Sequence, residues 1–256
     1  MVLAAVSDLR ASEADLVRWG EEIERLAGRI VFAPVHRPVG RSEWKLPANL
    51  ERRDIVLPYL RDPSFQKELA GAHALTVNWD GAAGERYHFI VLNMDLASQW
   101  ESAREGLIGH ELGHIWLHAQ GLVSPRFEPG PDACISIQSA DIVQHVLIRA
   151  EMERRGISGK EYLLNNLKIS LEFFGKPGNT SLTRCQKAVV LSHWLDFRHG
   201  IAPGDWDDAD RYAALHKERY PEISAMGAEI EEYLREHEIA DRESFQQAVA
   251  FVRDRL

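Results

Sequence analysis

The stretch GLIGHELGHIWLHAQG, residues 106–121, restricts what this chain can fold into more than any other. Its centre, His110-Glu111-Leu112-Gly113-His114, sets two imidazoles four residues apart, and on an α-helix they stand about 40° from one another on one face. Two ring nitrogens so placed can share a single metal ion. Glu111 lies about 100° round from His110 and nearer to His114, where its carboxylate can reach a water on such an ion without ligating it. Ile108, Leu112, Ile115 and Trp116 take the opposite side, so one helix offers an apolar face to a core and a polar face to chemistry.

The flanks give the helix its limits. Ser98-Gln99-Trp100-Glu101 reads as a capping box and Gly121 as a terminator, which predicts about six turns of helix around the motif. Gly109 and Gly113 each cost a helix about 1 kcal/mol relative to alanine, and they fall on one side of it. Close approach of another backbone is the expected compensation. The upstream run Tyr87-His88-Phe89-Ile90-Val91-Leu92-Asn93 is expected to be a strand packing there, in the position of an edge strand that holds an extended peptide.

A strand ending in Ile-Val-Leu-Asn, a short linker and a helix reading H-E-L-G-H-x-x-L-H resembles the ImmA/IrrE-type zinc metallopeptidases, relatives of the gluzincins, over roughly residues 75–155. That resemblance implies a small mixed α/β unit with the metal helix behind a short sheet. It also implies limited proteolysis of intracellular targets, often repressors, with His110 and His114 as zinc ligands and Glu111 as general base. His118 matches a histidine that recurs in such motifs without ligating. Gluzincins take a third ligand, a glutamate, from the next helix, expected here from about Ile137 to Arg155. Asp141 and His145 share one face of that helix, whereas Glu151 points about 80° to the other side of Asp141. The spacing favours Asp141 or His145 over the glutamate, Asp141 first, with the other as its hydrogen-bonding partner.

The chain of 256 residues, 45% hydrophobic and 27% charged, is long enough for one or two domains with a sizeable core. The expected division is a catalytic domain over residues 1–156 and a helical region over 157–256. A formal charge of −9 and the lack of a basic patch exclude a nonspecific nucleic-acid binder. Met1 to Val6 is too short for a signal-peptide core and nothing reaches the length of a membrane span, so a cytoplasmic location is expected. Only two cysteines, Cys134 and Cys185, are present and lie far apart in sequence, which reads as a reducing compartment rather than a disulfide framework; Cys134 is a loop thiol and a minor candidate ligand.

In chain order, Ser7 to Leu26 has helical periodicity and Arg29 to Pro34 reads as a strand stopped by proline. Val35 to Asn49 reads as a surface loop, and Arg52 to Leu60 as strand or short helix. Ala74 to Trp79 and Tyr87 to Asn93, joined at Asp80 to Gly84, form an expected antiparallel hairpin in which His88 is an exposed or cross-strand residue. Leu122 to Ala133, rich in proline, is a loop able to rim a cleft. After Gly156 the pattern is helical, with a capping box at Ser158 to Glu161, a break at Gly175 to Gly178, and helices over Thr180 to Phe197, Asp205 to Arg219, Glu222 to His237 and Asp241 to Leu256. No spacing ties His193, His199, Tyr212, His216 or Tyr220 to the metal helix as an electrophilic donor. Val190, Trp194, Leu195 and Phe197 read as a packing face.

The expected fold is therefore α+β, a small mostly antiparallel sheet packed on the metal helix and followed by a largely helical C-terminal region. The expected activity is hydrolysis of peptide bonds in a protein or peptide substrate, with zinc as cofactor and a transcriptional regulator as one candidate target. Leu117 and Gln120 stand where the extended astacin-like pattern needs glycine and histidine, no leader of the thermolysin-like kind is seen, and no Gly-x-Met-Glu-Asn box is present. Two other readings stay open, a metal-binding regulatory protein without proteolysis and a zinc hydrolase of a small-molecule amide. The intact Glu111 argues against the first, and a closed pocket would favour the second.

Overall fold

A computed structural model describes residues 11–38, 43–123, 133–175 and 182–256. The expectations for Met1 to Val6, for most of the loop after Leu122 and for the break after Gly175 fall outside these residues. The fold is α+β, with one three-stranded sheet and a helical C-terminal region. It divides into two compact units, residues 1–119 with 152–162 and residues 120–151 with 163–256.

In the first unit, α1 (Ala11–Ala27) leads through Gly28, at φ 122°, into β1 (Arg29–Val35). Helices α2 (Arg53–Arg61) and α3 (Pro63–Gly71) precede β2 (Ala74–Asp80) and β3 (Arg86–Asn93). The expected hairpin is present: β2 and β3 pair antiparallel, with Asn78 opposite His88. The strand order is β1-β3-β2 and β1 pairs parallel with β3, so the sheet is mixed rather than mostly antiparallel. Strand β3 is therefore central, not the edge strand expected. Its run Phe89-Ile90-Val91-Leu92 is buried throughout, because an apolar run covered on both faces suits the middle of a sheet. The edges are β1 and β2. Pairing on one side only lets β1 continue through Pro34 to Val35, since an edge strand tolerates a residue with no N–H to give.

Alternation along the strands sorts the two faces. Val31, Ala33, Val35, Val77, Phe89 and Val91 pack with Ile55, Val56, Leu60 and Leu69 of α2 and α3. Trp44 and Leu46 join this core, and an isolated bridge between His36 and Lys45 folds them in, so the expected surface loop is in part a core element. Arg52 to Leu60, left between strand and helix by its sequence, is helical from Arg53. On the other face Thr76 and His88 reach the helices: Thr76 bonds Glu111, and His88 contacts the Ala27 carbonyl at 3.1 Å.

The helix that carries His110 and His114 begins at a buried knot. Asn93, fully buried, donates from its side chain to the Leu69 carbonyl at 2.7 Å and the Ala72 carbonyl at 3.1 Å, and its side chain accepts from the Asp95 N–H. Trp100 Nε1 donates to the Asn93 carbonyl at 3.1 Å. From this knot the chain winds at once through a 3-10 turn (Met94–Leu96), the short helix α4 (Ala97–Trp100) and a second 3-10 turn (Glu101–Ala103) into α5 (Arg104–Ala119). The winding starts ahead of Ser98, so no capping box forms there and the regular helix is 16 residues, shorter than the six turns expected. Gly121, at φ 74°, ends it as expected.

Close packing at the helix glycines occurs, with different neighbours from the strand expected. A Cβ on Gly109 would lie 2.8 Å from Met152 Cε and 3.0 Å from Ile157 Cγ2, and one on Gly106 would lie 2.8 Å from Tyr162 Cβ and 3.2 Å from Gly159 Cα. Helix α5 is thus wedged against the 152–162 segment.

The second unit holds most of α6 (Ala133–Arg154) and α7 (Lys160–Gly175), then α8 (Arg184–Gly200), α9 (Ala209–Arg219), α10 (Pro221–Glu236) and α11 (Arg242–Arg253). Capping boxes at Thr183 and Asp241 start α8 and α11. Val190, Trp194 and Leu195 form the expected packing face. Trp194 stacks on His216 at 4.3 Å between centroids, while Phe197 meets Tyr212 at 4.8 Å. Cys134 and Cys185 are joined as a disulfide, with Cα atoms 5.8 Å apart, which corrects their reading as unpaired thiols and removes Cys134 from the candidate ligands. Separation in sequence did not carry over to space, because the first turns of α6 and α8 meet.

Gly106→Ala is expected to cost about 1–3 kcal/mol through overpacking. Gly20→Ala, where nothing lies within 4 Å of the added carbon, is expected to gain about 0.4–1 kcal/mol. Urea unfolding midpoints of the two variants check this opposite pair of signs.

Candidate metal centre

Helix α5 carries His110 and His114 half-buried on one face, as the four-residue spacing requires. Their Nε2 atoms lie 3.2 Å apart, with ring centroids 4.8 Å apart and planes at 83°. Two nitrogens each about 2.0–2.1 Å from one tetrahedral ion stand about 3.3 Å from each other. The pair therefore already has the separation that a shared zinc demands, and two neutral imidazoles are the donor type zinc accepts.

Glu111 turns away from solvent and is only 5% exposed. Its Oε2 accepts a hydrogen bond from Thr76 Oγ1 at 2.7 Å, which ties the carboxylate to the β2 edge of the sheet. A buried carboxylate requires such a partner, because leaving it unmatched costs several kcal/mol. His118, one turn beyond His114, points to a different neighbour. It packs edge-on against His88 at 5.5 Å, and burial pushes both imidazoles below their ordinary pKa. His88 itself sits opposite Asn78 and contacts its Oδ1 at 2.7 Å. It is cross-strand, as one of its two expected settings had it, and fully buried. A cavity of about 300 Å³ near this end of α5 is lined by residues that include Ala27, Asp80, Arg86 and His118 but neither His110 nor His114.

Other side chains of the first unit near the pair had no signal of their own in the sequence. Tyr162 brings its ring to 5.9 Å from His110 and 5.8 Å from His73, and His73 Nε2 contacts Gln99 Oε1 at 3.1 Å. The small residues Gly106 and Gly159, which let the start of α7 lie against α5, are the trace of Tyr162 in the sequence. Thr76 is legible only as an alternate position of a strand whose face was unknown.

The candidates on α6 belong to the second unit. Asp141 and His145 are one turn apart, both half-buried, and Glu151 is 7% exposed. His145 Nδ1 lies 3.5 Å from Asp196 Oδ1 of α8, and Arg149 Nη1 pairs with the same oxygen. Burial opposes charge on His145, yet Asp196, with Asp141 adding to it, raises its pKa overall. Burial likewise opposes charge on Asp196, but Arg149 and His145 hold its carboxyl well below the usual range. Asp196 was not singled out by its sequence, although a lone acid inside Trp194-Leu195-Asp196-Phe197 was a usable sign.

The remaining histidines and tyrosines of the second unit have partners there. His193 Nδ1 lies 2.9 Å from Ser170 Oγ, His199 Nε2 lies 3.9 Å from Glu231 Oε1, and His216 Nδ1 lies 2.8 Å from Ser224 Oγ. Burial pushes His216 down to about 4. Tyr212 lies in the aromatic cluster, and His216 meets Tyr220 edge-on at 5.7 Å.

Compared with protein-family models, with curated proteins and with solved structures, the chain matches none.

Thr76→Val, close in shape but without the hydroxyl, is expected to destabilise the fold by about 1–3 kcal/mol by taking a donor from a buried carboxylate. Thr76→Ser should restore most of that loss. Denaturant unfolding measures it, and equal stability of the valine variant and the wild type would show that the Thr76–Glu111 bond contributes nothing.

Proposed function

We propose that this chain is a zinc-dependent peptidase of the ImmA/IrrE type, in which His110 and His114 bind zinc through Nε2 and Glu111 is the general base. The observation that carries the reading is the 3.2 Å between the two Nε2 atoms, with a buried glutamate in the next position of the helix. When bound, zinc lowers the pKa of a water toward about 7 and polarises the scissile carbonyl.

The chain's own groups supply the rest. Glu111 takes the proton from the attacking water and returns it to the leaving amine, so one carboxylate serves both halves of the amide cleavage. The Thr76 hydroxyl on Oε2 keeps that carboxylate in one orientation. Strand β2 pairs with β3 along one side only, which leaves its second side as an edge where an extended peptide can add by main-chain hydrogen bonds. Tyr162, beside His110, is the side chain of the first unit best suited to donate to the carbonyl oxygen as it gains charge.

Asp141 and His145 of α6 stay the candidates for a third protein ligand. The substrate class is protein or peptide, with a transcriptional regulator as one fitting target. Among the described residues no helix is long and apolar enough to cross a membrane. The setting proposed, from the intracellular targets that the resemblance implies, is the cytoplasm.

Glu111→Gln tests the assignment. The variant is expected to keep the wild-type zinc content and to lose about 10²–10⁴-fold in turnover of a fluorogenic peptide library. An unaltered rate at equal zinc content would refute Glu111 as the base.

A further inference from the structure

We infer that the cavity at the C-terminal end of α5 is a subsite for a lysine or arginine side chain of a peptide added along the outer edge of β2; its place in cleavage rests on the peptidase reading above. The cavity measures about 300 Å³, and its lining residues all belong to the first unit. Ala27 and Ala119, the last residues of α1 and α5, both line it, so two helix C-termini meet there. Each such end carries about −0.5 of an elementary charge, which favours a cation. At the mouth Asp80 pairs with Arg86 at 3.9 Å, and Glu85 with Arg52 at 3.6 Å. These charged side chains balance, and the helix ends tip the sum to negative. Asp80 and Arg86 are 63% and 58% exposed, so an incoming cation can take the place of Arg86 on Asp80 at little cost.

His118 supplies an acceptor on the wall. Its ring meets His88 edge-on at 5.5 Å and, among the described residues, takes no hydrogen bond. Burial holds its pKa below the ordinary value, with Asp80 opposing and Arg86 adding to that shift, so near neutral pH the ring keeps a lone pair for a donated N–H. Ammonium and guanidinium groups are donors without an acceptor, which matches an imidazole lone pair, helix-end carbonyls and a carboxylate. The strand sets the position of the cavity relative to Glu111. Thr76, Asn78 and Asp80 alternate onto the face of β2 that holds the Glu111 carboxylate through Thr76. From Thr76 to Asp80 is four residues, about 14 Å of extended chain. In a peptide running beside β2, residues four apart also share a face, so a side chain about four residues from the cleaved bond reaches the cavity.

The first test needs no zinc. The metal-free full chain, isotope-labelled, is titrated at low salt with the N-acetyl methylamides of lysine, norleucine and glutamate, and the His118 ring and Ala119 amide signals are followed by NMR. The lysine derivative is expected to shift both signals saturably, with an affinity about 3–10-fold above that of the norleucine derivative. Asp80→Asn, at an exposed strand end, and His118→Ala should each reduce that preference. Equal responses to lysine and norleucine, a preference for glutamate, or a lysine preference unchanged in both variants would overturn the site. The second test gives the zinc-loaded wild type a peptide library and reads the cleaved products. Lysine and arginine should be enriched about four residues from the cleaved bond. Cleavage with no such enrichment would overturn the use of the cavity for substrate. Failure to cleave any peptide, with the lysine-dependent shifts intact, would sink the peptidase reading and leave the cation site standing.

Discussion

Two ring nitrogens held 3.2 Å apart on one helix set the demand that the rest of the first unit meets. Imidazoles repel neither each other nor the core strongly while neutral, but nothing about them fixes a separation. The helix does so, and only as long as α5 neither frays nor slides. Its start is tied by the Asn93 knot, where one buried amide satisfies two carbonyls and a backbone N–H. Its flank is held by the 152–162 segment against Gly106 and Gly109. Each glycine gives up about 1 kcal/mol of helix propensity, and close packing against Met152, Ile157 and Tyr162 offsets it.

The buried carboxylate is the second constraint. Glu111 costs stability on the apolar side of a helix unless it has a donor, and β2 supplies one from a strand whose alternate residues face α5. That bond couples the sheet to Glu111: shifting β2 by one residue would turn the Thr76 hydroxyl to the opposite face. The sheet is therefore more than a support for the helix, since its register decides whether the Glu111 carboxylate is held.

Much of this was readable in the residues. The 3.6-residue period of α5, the hairpin of β2 and β3, the glycine at the helix end and the largely helical tail all follow from local pattern and turn chemistry. What local pattern could not reveal was order in space. The burial of Phe89 to Leu92 on both faces marks a central strand, yet the partner that makes it central, β1, lies more than fifty residues earlier. Helix length was misjudged because the winding starts from Asn93, not from a serine cap. The cysteine pairing was invisible for the same reason as β1, being a contact between distant turns. Within the candidate site, His110, Glu111 and His114 are close in sequence and so were legible; Thr76 and Tyr162 come from other elements and were not.

X-ray absorption at the zinc edge of the purified, zinc-loaded chain tests the central claim most directly. Histidine ligation should appear as nitrogen or oxygen neighbours at about 2.0–2.1 Å with the outer-shell scattering of at least two imidazoles, and no sulfur. A spectrum dominated by sulfur near 2.3 Å, or one without imidazole scattering, would contradict a metal seated between His110 and His114.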